Sequence, residues 1–250
     1  MKLCAEEIKK CKGVRQLALI TCYDYPTALC LEGLDLDLVL VGDSLGEVVY
    51  GMANTTGVTM EMMLRHTEAV RRGLPNTHLV ADMPFRTYDT EDLALTNANR
   101  FKDAGADSVK LENPPPAVVE FLCAQNFSVM GHVGLTPQTM HEYRKQGKDE
   151  ASAKYIFESA QRLSSAGCYC LIAEAVTRKV AQTLTAEIPV PVIGIASGKN
   201  TDGQIIVISD IIGIFKQERS YVEKYSDVRS CIISAVNKYI TSVKSSSFGN

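Results

Sequence analysis

The chain has no tryptophan, and only 7% of its residues are aromatic. It also lacks an excess of either charge: 26 Lys and Arg stand against 29 Asp and Glu, for a formal net charge of −3. The basic stripe that nucleic-acid binding requires is therefore missing, and no nucleic-acid partner is expected. No run approaches the roughly 18 apolar residues that cross a bilayer, so no membrane partner is expected either. The start, MKLCAEEIKKCKG, has no apolar run after its lysines and does not read as a secretory leader. Its eight cysteines include no C-x-x-C pair. Free thiols in a reducing compartment, and hence a cytoplasmic location, are the expectation. Cys168 and Cys170 share one face of a strand, but no His or Cys cluster accompanies them, which favours packing over metal binding.

What is present is an ordinary globular composition, 46% hydrophobic and 22% charged over 250 residues, a length that single barrels commonly reach. Apolar runs recur as LALITCYD (17–24), LVLVGDS (38–44), HLVADMPF (78–85), SVKLE (108–112), FSVMGHVG (127–134), CYCLIAEA (168–175), VPVIGIAS (190–197) and IIVISD (205–210). They are unbroken rather than alternating, as in strands buried on both faces of a parallel sheet. Helical patterns lie between them. DTEDLALTNANRFKDAG opens on cap residues Asp89 and Thr90 and stops at Gly105, and KDEASAKYIFESAQRLSSAG stops at Gly167. KDAGADSVKLE and SSAGCYCLIAE form a weak repeat of helix end, glycine, strand and glutamate. About eight such units predict a (β/α)8 barrel with right-handed crossovers. No linker marks a second domain, so residues 1–250 are expected to form one barrel, with KSSSFGN as a frayed tail.

In such a barrel the catalytic groups sit at the C-terminal ends of the strands. Asp43, Asp82, Glu112, His132 and Glu174 all fall there, on the second to sixth runs. A single Asp after a strand is most often a turn or cap residue. Four acids and a histidine at one end of five adjacent strands are hard to attribute to turns. Converging carboxylates repel unless a cation or proton lies among them. Oxygen-only ligation suits Mg²⁺, which takes one or two carboxylates and fills its octahedron with water and substrate.

Lys110 and Glu112 are two apart and share a strand face, as a structural ion pair or as partners of an anionic substrate. His132 is either a satisfied core histidine or a site residue. Tyr23 and Asp24 could line the mouth, although Asp24 before Pro26 is adequately explained as a helix start. Arg65 and His66 are expected on an exposed helix face, and Met60, Met62 and Met63 in the core. GIASGKNTDG is only a weak candidate for a phosphate cradle.

The ordered segments ITCYDYPTA, LVLVGDSLG, VTMEMMLRHTEAVRRG, ADMPF, VKLE, GHVGLTPQ, AEA and PVIGIASGKNTDGQ cover most of residues 15 to 213. In these the sequence resembles the ketopantoate hydroxymethyltransferase family. The resemblance implies a (β/α)8 TIM barrel of the phosphoenolpyruvate mutase and isocitrate lyase type. It further implies Mg²⁺, 5,10-methylenetetrahydrofolate as one-carbon donor, 3-methyl-2-oxobutanoate as acceptor, and a homo-oligomer, a decamer in the family. Carried over, Asp43 and Asp82 hold the metal and contact substrate, and Glu112 completes the metal site. Ser44 and Lys110 contact the 2-oxo acid, His132 lines its pocket, and Glu174 accepts the proton. Two other classes remain open: a related Mg²⁺ enzyme making or breaking C–C bonds on another 2-oxo acid, and a non-catalytic metabolite-binding relative. The sequence departs from the family pattern at TMHEYRKQGKDE, at Ala175 and Val176, at GIASG and at FKQERSYVEKY, segments that follow strands five to eight.

Overall fold

A computed structural model describes residues 2–140, 143–216 and 222–249. The apolar runs become eight parallel strands: β1 Leu17–Thr21, β2 Leu38–Val41, β3 His78–Asp82, β4 Ser108–Glu112, β5 Val129–Gly134, β6 Cys170–Glu174, β7 Val192–Ile195 and β8 Gly203–Ile206. They hydrogen-bond in sequence order and close into a barrel. Every residue of β2, β3 and β4 is buried, as unbroken apolar strands between a packed interior and an outer helix layer should be. The outer layer holds α2 Tyr25–Leu31, α4 Met60–Gly73, α5 Glu91–Asp103, α6 Pro116–Ala124, α7 Glu150–Ser165 and α8 Arg178–Glu187, with short α1 Ala5–Lys9 before β1 and α3 Leu45–Val48 after β2.

Local chemistry starts and stops these helices. Asp24, Thr59, Thr90, Asp149 and Thr177 each cap a helix by accepting a backbone N–H from its first turn. Gly105 and Gly167, at φ +96° and +113°, let the chain reverse after α5 and α7. Ala5 and Ile8 of α1 pack with Leu17, Leu19, Leu38, Ile193 and Ile205. His78, at the start of β3, is buried there, with Nδ1 2.9 Å from Leu3 O and Nε2 2.9 Å from Ser108 Oγ.

Two expectations change. The eighth strand is Gly203–Ile206 rather than 205–210, because Gly203 and Gln204 pair with Ile193 and Gly194 while Ile208–Ile211 turns into a short helix, α9. No helix separates β7 from β8; residues 196–202 alone make the return. The GIASGKNTDG segment is therefore a helix-less connection. Its Asp202 accepts from Lys12 Nζ at 2.7 Å, Val192 N at 2.8 Å and Gly13 N at 3.2 Å, donors that fasten the N-terminal segment to the barrel.

His66 is also not on a free face: its Nδ1 meets Tyr23 O and its Nε2 lies 3.0 Å from Tyr50 Oη. Arg65 is exposed and Met60 and Met63 are buried, as expected, whereas Met62, also expected in the core, is only half-buried. All eight cysteines are free thiols, with Cys168 and Cys170 buried.

The chain divides into two compact units, residues 1–205 and residues 206–250. The second contains α9 and α10 Val228–Lys244, which is capped by Asp227 and buries none of its residues. Part of FKQERSYVEKY, residues 217–221, lies outside the described residues, as do His141 and Glu142 of TMHEYRKQGKDE. Among the described residues no helix is long and apolar enough to cross a membrane.

Barrel closure generates a prediction. Leu17 N donates to Asp202 O at 2.9 Å, and a Cβ on Gly203 would stand 2.5 Å from Leu17 O. That neighbour is backbone and cannot swing aside. Gly203→Ala should cost about 1–3 kcal/mol, as overpacking of a filled interior does, and lower Tm by several degrees in a thermal melt followed by circular dichroism. An unchanged Tm would show that β8 does not approach β1 this closely.

Candidate active site

Register brings the acids together. Asp82 pairs with Lys110 across β3 and β4, Glu112 with His132 across β4 and β5, and Gly134 with Glu174 across β5 and β6. Asp43 and Ser44 follow β2 after Gly42. Asp43 is not a helix cap. Its Oδ2 accepts from Gln138 Nε2 at 2.9 Å, and its own N–H points at Asp82 Oδ2, 3.3 Å away. Ser44 begins α3, yet its hydroxyl caps nothing and lies 2.8 Å from Tyr23 Oη. The sequence-expected residues thus form one continuous cluster at the C-terminal end of the barrel.

Lys110 Nζ donates to Asp82 Oδ2 at 2.6 Å, with both side chains almost wholly buried. His132 sits between two acids: Nδ1 is 3.4 Å from Glu112 Oε2 and Nε2 is 3.4 Å from Glu174 Oε2. Neither contact is a well-formed hydrogen bond, so their attraction is chiefly electrostatic. Burial and the Lys110 charge pull the His132 pKa down, but Glu112 and Glu174 outweigh them and raise it to about 9. Burial disfavours the Lys110 ammonium as well, and Asp82, Asp43 and Glu112 more than reverse this, so Lys110 stays charged. Asp82 is raised too, and for a carboxyl this favours the neutral form. Burial pushes its carboxyl up to about 8 against the opposing Lys110 charge, and Asp43 and Glu112 add to the rise.

The charges do not balance. With all four carboxylates ionised, Lys110 and protonated His132 leave two negative charges in excess; below about pH 8, where Asp82 takes up a proton, one remains. Asp82 Oδ1 is moreover buried without a hydrogen-bond partner, an acceptor that lacks a donor or cation. Adjacent Asp43 and Asp82 therefore fit a hard divalent ion that takes few protein ligands. Among the described residues no three His, Cys, Asp or Glu side chains are grouped closely enough to cage a metal by themselves. That arrangement suits Mg²⁺, which keeps waters and substrate as ligands, better than zinc or calcium.

The backbone around Glu174 is held on both sides. Glu174 O accepts from Leu135 N at 2.9 Å, Ala175 N donates to Ile195 O at 2.9 Å, and Gln146 N donates to Ala175 O at 2.8 Å. Ala175 and Ala196, the residues directly after β6 and β7, adopt left-handed φ values of +49° and +51°. Such conformations cost a non-glycine residue about 1–2 kcal/mol and cluster at functional sites.

Sequence reading passed over Gln138 and Tyr88. Gln138 N donates to Glu112 Oε1 at 2.7 Å, its Nε2 also reaches Met83 O at 3.0 Å, and its Oε1 accepts from Tyr88 Oη. The only signal was the position of Gln138 in LTPQ, just beyond the end of the strand that carries His132.

The sequence profile of the ketopantoate hydroxymethyltransferase family matches residues 2–250. The chain belongs to that family. A 3-methyl-2-oxobutanoate hydroxymethyltransferase of Pyrobaculum neutrophilum is 45% identical over 244 residues, covering 95% of this chain and 93% of that protein. One of Nitratidesulfovibrio vulgaris is 40% identical over 254 residues, covering 98% and 83%. The chain is thus an enzyme of the hydroxymethyltransferase type. Among solved structures, 2,3-dimethylmalate lyase, of the PEP mutase/isocitrate lyase superfamily, superposes with a TM-score of 0.63 at 12% identity, covering 98% of this chain and 88% of that one. Phosphonopyruvate hydrolase, solved with oxalate and Mg²⁺, gives 0.64 at 10% identity with the same coverage. The fold is accordingly a (β/α)8 barrel of that superfamily's type.

His132 supplies a pH test. Its pKa is raised from an ordinary 6.5 to about 9, so the folded chain holds this proton more tightly than the unfolded one. The resulting stabilisation is complete below pH 6.5 and disappears as pH rises through about 9. In metal-free protein the Tm gap between parent and His132→Asn should be widest at low pH and narrow above about pH 9. A gap independent of pH would show that His132 is neutral between its two glutamates.

Proposed function

We propose that the chain transfers a one-carbon unit from 5,10-methylenetetrahydrofolate to C3 of 3-methyl-2-oxobutanoate, giving 2-dehydropantoate. The observation that carries this reading is the excess of buried carboxylate at one barrel mouth, with a lysine and a proton-holding histidine set among the acids. Asp43 and Asp82 would hold Mg²⁺; Glu112, expected beside them as a third ligand, lies with its two oxygens toward Gln138 N and His132. When bound, the ion acts as a Lewis acid toward the oxygens of the 2-oxo acid.

Lys110 and Ser44 bind the substrate, and their charge and hydroxyl orient its carboxylate and keto groups. Glu174, half-buried at the end of β6, takes the C3 proton on a carboxylate oxygen. The C–H pair remains on the substrate as an enolate. His132, beside both Glu112 and Glu174, steadies the base in its charged form. A positioned base of this kind typically contributes about 10²–10⁴ in rate. Water opens the methylene bridge, its oxygen going to the methylene carbon and its two hydrogens to N5 and N10 as both C–N bonds break and tetrahydrofolate leaves. C3 bonds to that carbon, and the resulting alkoxide takes the proton held by Glu174. The eight free thiols suit a reducing compartment.

The test is turnover of 3-methyl-2-oxobutanoate with the folate donor, before and after metal removal. Stripped protein should be inactive, and Mg²⁺ should restore it. Asp82→Asn should lower kcat/KM by at least about 100-fold, the upper range for loss of a group that orients a metal. Full turnover in excess chelator, with metal verified absent, would overturn the reading. A distinctly higher kcat/KM on another 2-oxo acid would redirect the substrate assignment.

A further inference from the structure

Gln138 follows Pro137 in the turn after β5 and is 1% exposed. Thr139 N and Met140 N both close back on Thr136 O, at 2.9 and 2.7 Å, which forms a tight turn at this point. Pro137 has no N–H, so Gln138 carries the first donor of that turn. This donor meets Glu112 Oε1 at 2.7 Å. The side chain reaches the other way, to Asp43 Oδ2 at 2.9 Å and Met83 O at 3.0 Å. One residue therefore touches the acid after β2, the acid ending β4 and the backbone just beyond β3.

The amide can point only one way. Flipped, its oxygen would face the Asp43 carboxylate and the Met83 carbonyl, two acceptors with no donor between them. In the observed sense both N–H groups are used, and Oε1 accepts from Tyr88 Oη. Tyr88 is itself buried, and its hydroxyl lies 3.1 Å from Glu112 O, so the phenol is anchored to β4. The outcome is specific to each acid. Asp43 Oδ2 is held while Oδ1 has no hydrogen-bond partner among the described residues, and Glu112 Oε1 is held while Oε2 faces His132.

We propose that Gln138, locked by Tyr88, is the positioning residue of the acid ring: it aims one oxygen of Asp43 at the divalent metal and one oxygen of Glu112 at His132. This rests on the reading of Asp43 as a metal ligand. A glutamine needed only for folding would be satisfied by backbone groups. This one holds two carboxylates from different strands, whose mutual repulsion would otherwise drive them apart. Partners of this kind orient ligands they never replace.

The test uses Mn²⁺ as probe, with free ion measured by electron paramagnetic resonance, on the parent, Gln138→Met and Tyr88→Phe. Gln138→Met keeps the length of the side chain and removes its polar atoms. Its Mn²⁺ affinity should fall by about 10–100-fold, and excess metal should recover much of the lost kcat. A purely structural defect would not be rescued by metal. Tyr88→Phe, which keeps both amide N–H contacts but removes the donor to Oε1 and the hydroxyl's contact with Glu112 O, should weaken binding in the same direction by less. If Gln138→Met fails to fold, as judged by circular dichroism, Tyr88→Phe decides alone. Parent-like Mn²⁺ affinity in the folded variants overturns this proposal and leaves the metal reading intact. A parent that binds no Mn²⁺ overturns both.

Discussion

The constraint on which the rest depends is uncompensated charge inside a protein interior. Four carboxylates converge on one barrel mouth against a lysine and a histidine, and Asp43, Asp82 and Glu112 are each less than a tenth exposed. Unpaired buried charge is among the costliest features a fold can carry. The sequence could have relieved it by replacing one acid with an amide. Instead Lys110 is tied to Asp82, His132 is held as a cation, and one oxygen of Asp82 is left with nothing to bond. That residual imbalance is the property a divalent ion and an anionic substrate could use.

Holding such a cluster requires rigid walls. Each acid stands at or just beyond the end of a strand whose neighbours fix its height, and the loops beyond are clamped by hydrogen bonds to their backbone rather than left to side-chain packing. Ser197 Oγ donates to Ala173 O at 2.7 Å and accepts from Val176 N at 3.1 Å, joining β6 to the connection after β7. Gly134, at φ +96°, admits Glu174 O to within 2.4 Å of where a side chain would begin. The left-handed alanines after β6 and β7 belong to the same arrangement. Strain is stored where Glu174 must not move, while the opposite end of the barrel is filled by apolar contacts around α1.

Much of this was legible because it rests on local chemistry. Unbroken apolar runs marked both-face-buried strands, Thr90 and Asp149 marked helix starts, and glycines marked their ends. The common position of Asp43, Asp82, Glu112, His132 and Glu174 at strand ends revealed the ring before any partner was known. What stayed hidden depends on where a run turns or on partners distant in sequence. IIVISD is apolar as far as Ile208, and what ends the strand at Ile206 is the turn of Ile208–Ile211 into a helix. His66 has helical spacing on a polar face, but Tyr23 and Tyr50, in other segments, cover it. Gln138 lies 95 residues from Asp43, and no periodicity links them.

Under the proposed function this ring takes a proton from carbon. Proton exchange separates that step from everything later. 3-Methyl-2-oxobutanoate in D₂O with Mg²⁺ and no folate, followed by NMR, should lose its C3 proton signal with the parent protein. It should keep that signal with Glu174→Gln, whose amide has the same shape but cannot accept the proton. Exchange at the parent rate in Glu174→Gln, or none in the metal-loaded parent, would contradict the account.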